Sequence, residues 1–280
     1  MLDEKQRSEL LEQLVHSPSY RVAYRDADLM DSPDLRHVRM LLEFLKPDLI
    51  LRRHHVESTI VVFGGTQVTE PASAQKRLDQ ARQRLAVTPD DPRRRRDVAR
   101  VERIAAKSSY YDVAREFARL VSSQNQVEGR CEYVITTGGG PGIMEAANRG
   151  AHDVGAKSIG LNIRLPREQE PNPYITPELC FQFHYFAIRK LHFLLRAKAL
   201  VIFPGGYGTL DEMFDALTLR QTGRMQDLPI ILFGRKFWER TINFQFLADE
   251  GTIEDRDLDL IHYVDEPEQA WQIIQDFHKK

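Results

Sequence analysis

Residues 199–212 read ALVIFPGGYGTLDE, an apolar run followed by Pro204, a glycine-rich turn and the opening of a helical pattern. A run of four to eight apolar residues closed by a turn signal predicts a buried strand. The periodicity beyond it predicts a helix over 210–221. The same order recurs at 133–151, YVITTGGGPGIMEAANRGA, with a strand over 133–136 and a helix over 141–154. It occurs in shorter form at 59–66, TIVVFGGT.

Working outward, SIGLNI (158–163), 181–183 and PIILF (229–233) read as strands, and Tyr263-Val264 as a short one. Helices are expected at 185–196, 237–248 and 267–277. Buried apolar strands alternating with helices predict a mainly parallel, doubly wound α/β sheet with helices on both faces. Such sheets bind ligands beyond the carboxyl ends of their strands, near a topological switch point. The three glycine turns lie at three of those ends.

The remaining segments carry no legible chemistry. Helices are expected at 3–15 and from Ser32-Pro33 to a stop at Lys46-Pro47, giving an N-terminal helical extension over 1–56. Residues 57–280 then form a nucleotide-binding domain, with a charged helical insertion at about 67–107. Inside that insertion a helix over 72–85 is followed by Arg93–Arg96, which reads as a solvated turn. Helices follow at 98–106 and 110–121.

With 39 Lys and Arg against 41 Asp and Glu, the 280-residue chain has a formal net charge of −2, which removes the basic footprint of a nucleic-acid binder. Two cysteines make neither a disulfide framework nor a zinc pair. No apolar run reaches membrane-spanning length, and the start, MLDEKQRSELLEQL, lacks the basic-then-apolar order of a secretory signal. The expectation is a cytoplasmic protein that meets neither membrane nor nucleic acid.

Glycines let a backbone approach an anion closely, and a helix start offers unpaired N–H groups with a partial positive charge. Gly138, Gly139, Gly140 and Gly142 in one turn, and Gly205, Gly206 and Gly208 in the other, therefore point to phosphate. Their spacing matches neither the dinucleotide GxGxxG pattern nor a P-loop, which ends in Gly-Lys-Ser/Thr. A monophosphate or sugar phosphate fits better. Thr209 is placed to cap its helix or to donate its hydroxyl to a phosphate oxygen, and Glu212 to sit in the first turn. The nine histidines show no HxxxH or HExxH spacing, so no metal is expected.

GGGPGIMEAANRGA (138–151) together with PGGYGTLDE (204–212) resembles the LONELY GUY (LOG) family, also labelled lysine decarboxylase-like. The resemblance extends to VVFGGT (61–66), EQEPNPY (168–174) and the Arg189-Lys190 pair, and covers about 59–278. The N-terminal helices and the segment 66–107 look like the longer bacterial branch. The resemblance implies a Rossmann-like fold, a homodimer or higher homo-oligomer, and a phosphoribohydrolase. Such an enzyme cleaves a nucleoside 5′-monophosphate into free base, purine or cytokinin-type, and ribose 5-phosphate. It implies Arg189 and Glu212 as the catalytic pair, with Met144, Lys190, Tyr207, Thr209 and the glycines of the two turns contacting nucleotide. Gly64, Gly65 and Asp211 are further positions. Phe186 stands where shorter members have Met, Asp211 where many have Glu, and Gly64-Gly65-Thr66 departs from the usual Gly-Ser.

A fixed carboxylate suits this chemistry, because N-glycosidic cleavage passes through an oxocarbenium-like state, as in glycosidases. Taken alone, Arg189 and Glu212 would read better as a surface or interhelix salt bridge; the two phosphate turns and the motif around them turn the reading to catalysis. Decarboxylation would need pyridoxal phosphate on a lysine, and Lys190 lacks any supporting motif, so no cofactor is expected. The competing function is a carrier or sensor that holds a nucleotide or molybdenum cofactor without turnover. The helix over 185–196 carries more apolar residues than one core-facing stripe needs, which suits burial against a partner as well.

Overall fold

The computed structural model describes residues 2–127, 129–164 and 170–279. Two compact units divide at 46/47, Met1–Lys46 and Pro47–Lys280. The first holds α1 (Glu4–His16), α2 (Ala27–Asp31) and the start of α3 (Arg36–Arg53). Neither α1 nor α2 contains a buried residue.

Expectation and structure part at α3. The helix runs through Pro47 instead of stopping there. A proline costs a helix one hydrogen bond and about 3 kcal/mol, yet its φ is already helical. Beyond it, the continuation is held by buried Leu51 and by Asp48, which pairs with Arg196. The next elements are β1 (Thr59–Phe63), α4 (Pro71–Val87), α5 (Pro92–Ala105) and α6 (Ser109–Ser122). The four arginines at 93–96 are the first turns of α5, not a solvated turn, although all four are exposed. Asp91 starts that helix by accepting from the Arg93 N–H at 2.8 Å, with Pro92 at the first position.

A small hairpin follows, β2 (Gln126–Val127) with β3 (Arg130–Cys131). The rest alternates: β4 (Val134–Thr137), α7 (Ile143–Asp153), β5 (Ser158–Ile163), β6 (Cys180–Phe183), α8 (Phe186–Leu194), β7 (Ala197–Ile202), α9 (Tyr207–Gln221) and β8 (Ile230–Phe233). Then come α10 (Arg235–Thr241), α11 (Phe244–Asp249), β9 (Ile261–Val264) and α12 (Pro267–Lys279). The single helix expected at 237–248 is two, because Ile242 is extended and the Asn243 side chain caps the second by accepting from the Phe246 N–H.

Seven strands form one sheet in the order β6-β5-β4-β1-β7-β8-β9, every pair parallel. The chain winds outward from β1 to β6, returns to β7 on the other side of β1, and winds outward again. The sheet is therefore doubly wound, with its switch point at β1. All five residues of β1 are buried. Successive side chains of a strand face opposite layers. Ile60 and Val62 pack into the cluster with Phe117 of α6, Ile143 of α7 and Ile274 of α12, while Phe63 meets Phe193 of α8 edge-on at 4.8 Å. Burying side chains of this size contributes about 1.5–3 kcal/mol each. Among the described residues, no helix is long and apolar enough to cross a membrane.

Candidate active site

The switch point brings the three glycine turns together, and Gly65 joins them. Its N–H donates to the Pro204 carbonyl at 3.0 Å, and its own carbonyl accepts from the Ile143 N–H at 3.3 Å. Gly142, at φ +75°, lies against that carbonyl so closely that a side chain there would collide with Gly65 and Thr66. Only glycine satisfies both conditions. A Cβ on Gly64 would likewise stand 2.7 Å from the Ile143 side chain. These contacts make Gly64, Gly65 and Gly142 packing positions between turns.

Below the turns lies a cavity of about 420 Å³. Gly138, Gly140 and Met144 line it from the start of α7, and Gly206, Tyr207, Gly208 and Thr209 from the start of α9. Arg189 and Glu212 also line it, as do Gly64 and Gly65. Gly139, Gly142, Gly205, Lys190 and Asp211 do not. α9 begins at Tyr207, three residues earlier than expected. Thr209 therefore sits inside the first turn and does not cap it, while Glu212 sits in the second turn. A helix start leaves its first N–H groups without intrahelical acceptors. At α9 these are the N–H groups of Tyr207, Gly208 and Thr209, on the residues that line the cavity.

Arg189 of α8 and Glu212 of α9 lie 3.5 Å apart, with their side chains 13% and 7% exposed. Burial pushes the Glu212 carboxyl up to about 7, against the opposing pull of Arg189 and Lys190. The same burial lowers Arg189, which still keeps its charge because a guanidinium stays protonated in proteins. Its guanidinium carbon lies 5.2 Å from the Phe186 ring centroid and 5.4 Å from that of Phe193. Lys190 points elsewhere, to Asp211 at 2.8 Å and Asp215 at 3.9 Å. That second ion pair staples α8 to α9 beside the first. Among the described residues, no group of three or more His, Cys, Asp or Glu could hold a metal ion.

Residues 144–274 match a family model described as "Possible lysine decarboxylase". The cytokinin riboside 5′-monophosphate phosphoribohydrolase of Arabidopsis thaliana, a LOG protein, is 30% identical over 126 residues, covering 44% of this chain and 54% of that one. Over this region the chain is similar to LOG proteins. A pyrimidine/purine nucleotide 5′-monophosphate nucleosidase of Escherichia coli (strain K12) is 33% identical over 131 residues, covering 43% of this chain and 28% of that one. The chain thus spans about half the length of the plant LOG relative and less of the bacterial one. In fold alone, the molybdenum cofactor carrier protein from Chlamydomonas reinhardtii is similar, with a TM-score of 0.50 over 80% of this chain and 99% of that one at 18% identity.

Sequence reasoning on the LOG motifs missed part of the lining. Phe63, Asn162, Ile163 and Phe193 all face the cavity, as does Phe186. Phe63 and Ile163 end β1 and β5 at the carboxyl edge, and Asn162 precedes Ile163, so the strand-end rule was the signal available for those three. Residues 168 and 169 of the EQEPNPY stretch lie outside the described residues.

Proposed function

We propose that this chain is a LOG-type enzyme that hydrolyses nucleoside 5′-monophosphates to a free purine base and ribose 5-phosphate. The observation that carries the reading is Glu212: a buried carboxyl poised near neutrality, opposite a cation, between two glycine turns. General bases work best with a pKa near the working pH. In this reading the phosphate docks on the free N–H groups of Tyr207, Gly208 and Thr209. The apolar walls at Phe63, Met144, Ile163 and Phe186 take the planar base. A cavity of about 420 Å³ lies within the range of small-molecule sites.

As the bond from C1′ to the base nitrogen breaks, positive charge grows on the ribose, and the Glu212 carboxylate stabilises it. Water attacks C1′ while Glu212 takes one of its protons. The departing base accepts that proton, which restores the carboxylate. Arg189 holds the carboxylate in place and favours its charged form.

Residues 57–280 form the catalytic domain in this reading, with 1–56 a helical extension. A second copy of the chain covers α8, whose Phe186 and Leu191 are half-exposed, together with Leu195 just past its end.

Incubation with a panel of nucleoside 5′-monophosphates, followed by chromatography, should show free base and ribose 5-phosphate in equal amounts. Adenosine without phosphate should be a poor substrate, because remote phosphate binding positions the reacting bond. Tight binding of monophosphates without release of base would favour the carrier function instead.

A further inference from the structure

The glycine turn after β4 is held from behind by three buried polar side chains, Thr137, Asn148 and Asn172. The Gly139 N–H donates to Thr137 Oγ1 at 3.0 Å. The Gly139 carbonyl accepts from the Asn172 N–H at 2.8 Å, and the Gly140 carbonyl from Asn172 Nδ2 at 3.1 Å. The tethers converge on Asn148 Oδ1, which accepts from Thr137 Oγ1 at 2.7 Å and from Asn172 Nδ2 at 2.9 Å. Asn148 Nδ2 donates to the Ile159 carbonyl of β5 at 3.4 Å, and Asn172 Oδ1 accepts from the Tyr174 N–H at 3.2 Å.

The strand end and the segment after residue 169 therefore both hold Gly139, and Asn148 of the helix ties the two together. Both backbone polar groups of Gly139 are tied down, and Gly139 is the residue of the three that does not line the cavity. Gly138 and Gly140, on either side, do. A buried polar network with its partners in place specifies one arrangement of the backbone it touches. Gly139 adds to that constraint: it stands at φ +75° with the Asn162 side chain against it.

We propose that Asn172, acting with Thr137 and Asn148, is a positioning residue for the nucleotide. It fixes the turn so that the Gly138 and Gly140 backbone is presented to the ribosyl phosphate. This rests on the reading of the cavity as a nucleoside 5′-monophosphate site. The effect is on binding, because the network touches neither Arg189 nor Glu212.

The test compares Asn172→Ala, Thr137→Val, Thr137→Ser and Ser158→Ala in the full chain. Ser158 Oγ donates to the Tyr174 carbonyl at 3.2 Å, so it ties down the same segment without touching the glycine turn. The readouts are KM and kcat for adenosine 5′-monophosphate, calorimetric Kd for ribose 5-phosphate, and Tm. Asn172→Ala and Thr137→Val should each raise KM and Kd about tenfold, the size of one lost buried hydrogen bond, with kcat little changed. Thr137→Ser keeps the hydroxyl and should bind as wild type. Ser158→Ala should lower Tm and leave KM unchanged. Unaltered KM and Kd in both Asn172→Ala and Thr137→Val would overturn the proposal, as would an equal rise in Ser158→Ala. If Asn172→Ala does not fold, the Thr137 pair decides. Should the wild type bind ribose 5-phosphate but release no base, the hydrolase reading fails while Kd still decides the positioning role.

Discussion

Arg189 and Glu212 face each other at 3.5 Å from successive helices, both largely withdrawn from water. Two phenyl rings flank the guanidinium, and burial outweighs its pull on the carboxylate. An ion pair on the surface would leave Glu212 fully ionised and inert at neutral pH. Buried, the same two residues give a carboxyl that changes charge near pH 7.

Glu212→Gln should keep the fold and the binding of nucleoside monophosphate while kcat falls by about 10²–10⁴-fold, the usual loss for an acid–base or electrostatic group. Steady-state kinetics alongside calorimetry would show it. Near-full turnover in that variant would remove Glu212 from the mechanism.

The pH dependence has a definite sign. Glu212 must be ionised to take a proton from water, so kcat/KM should rise with pH through about 7. Stability should run the other way. The folded carboxyl holds its proton up to about 7 and the unfolded one only to about 4.5, so between these values the folded state binds more protons. Stability therefore falls as pH rises through that window, by on the order of 3 kcal/mol. Denaturant melts at pH 4.5 and 7.5 should show this loss in the wild type and its absence in Glu212→Gln.

Arg189→Ala removes a neighbour that lowers the Glu212 carboxyl. The inflection of the pH–rate profile should move above its wild-type position, and kcat at neutral pH should fall about tenfold or more. An inflection that stays in place would show that Arg189 does not act on Glu212. The effects of Arg189→Ala and Glu212→Gln should not add, because each positions the other.

Two glycines of one motif should behave differently. A Cβ at Gly208 meets nothing within 4 Å and enters the space at the cavity, so Gly208→Ala should raise KM for the monophosphate with Tm held or slightly increased. A Cβ at Gly205 collides with the Thr209 side chain, so Gly205→Ala should lower Tm as well as activity. Equal Tm losses in the two variants would contradict this division.

What was local could be read directly from the residues. Apolar runs bounded by turn signals marked the strands at 59, 134, 158, 197 and 230, because a strand buried on both faces needs no polar alternation. Glycine-rich ends on three of them pointed to a candidate site at the carboxyl edge of a parallel sheet, and the LOG motifs singled out Arg189 and Glu212. Other features depend on what lies across from a residue. Lys190 adjoins Arg189 in sequence yet turns to Asp211, since neighbouring helix positions point about 100° apart. Gly139 sits between two cavity-lining glycines yet faces inward, because Thr137 and Asn172 claim its backbone. Asn172 lies 32 residues from the Gly140 carbonyl it holds, with no periodicity linking them. Pro47, which locally reads as a stop, is carried through by Asp48 meeting Arg196, 148 residues away. Period and turn chemistry act within a few residues, whereas partners brought together by strand order are chosen only when the sheet closes around β1.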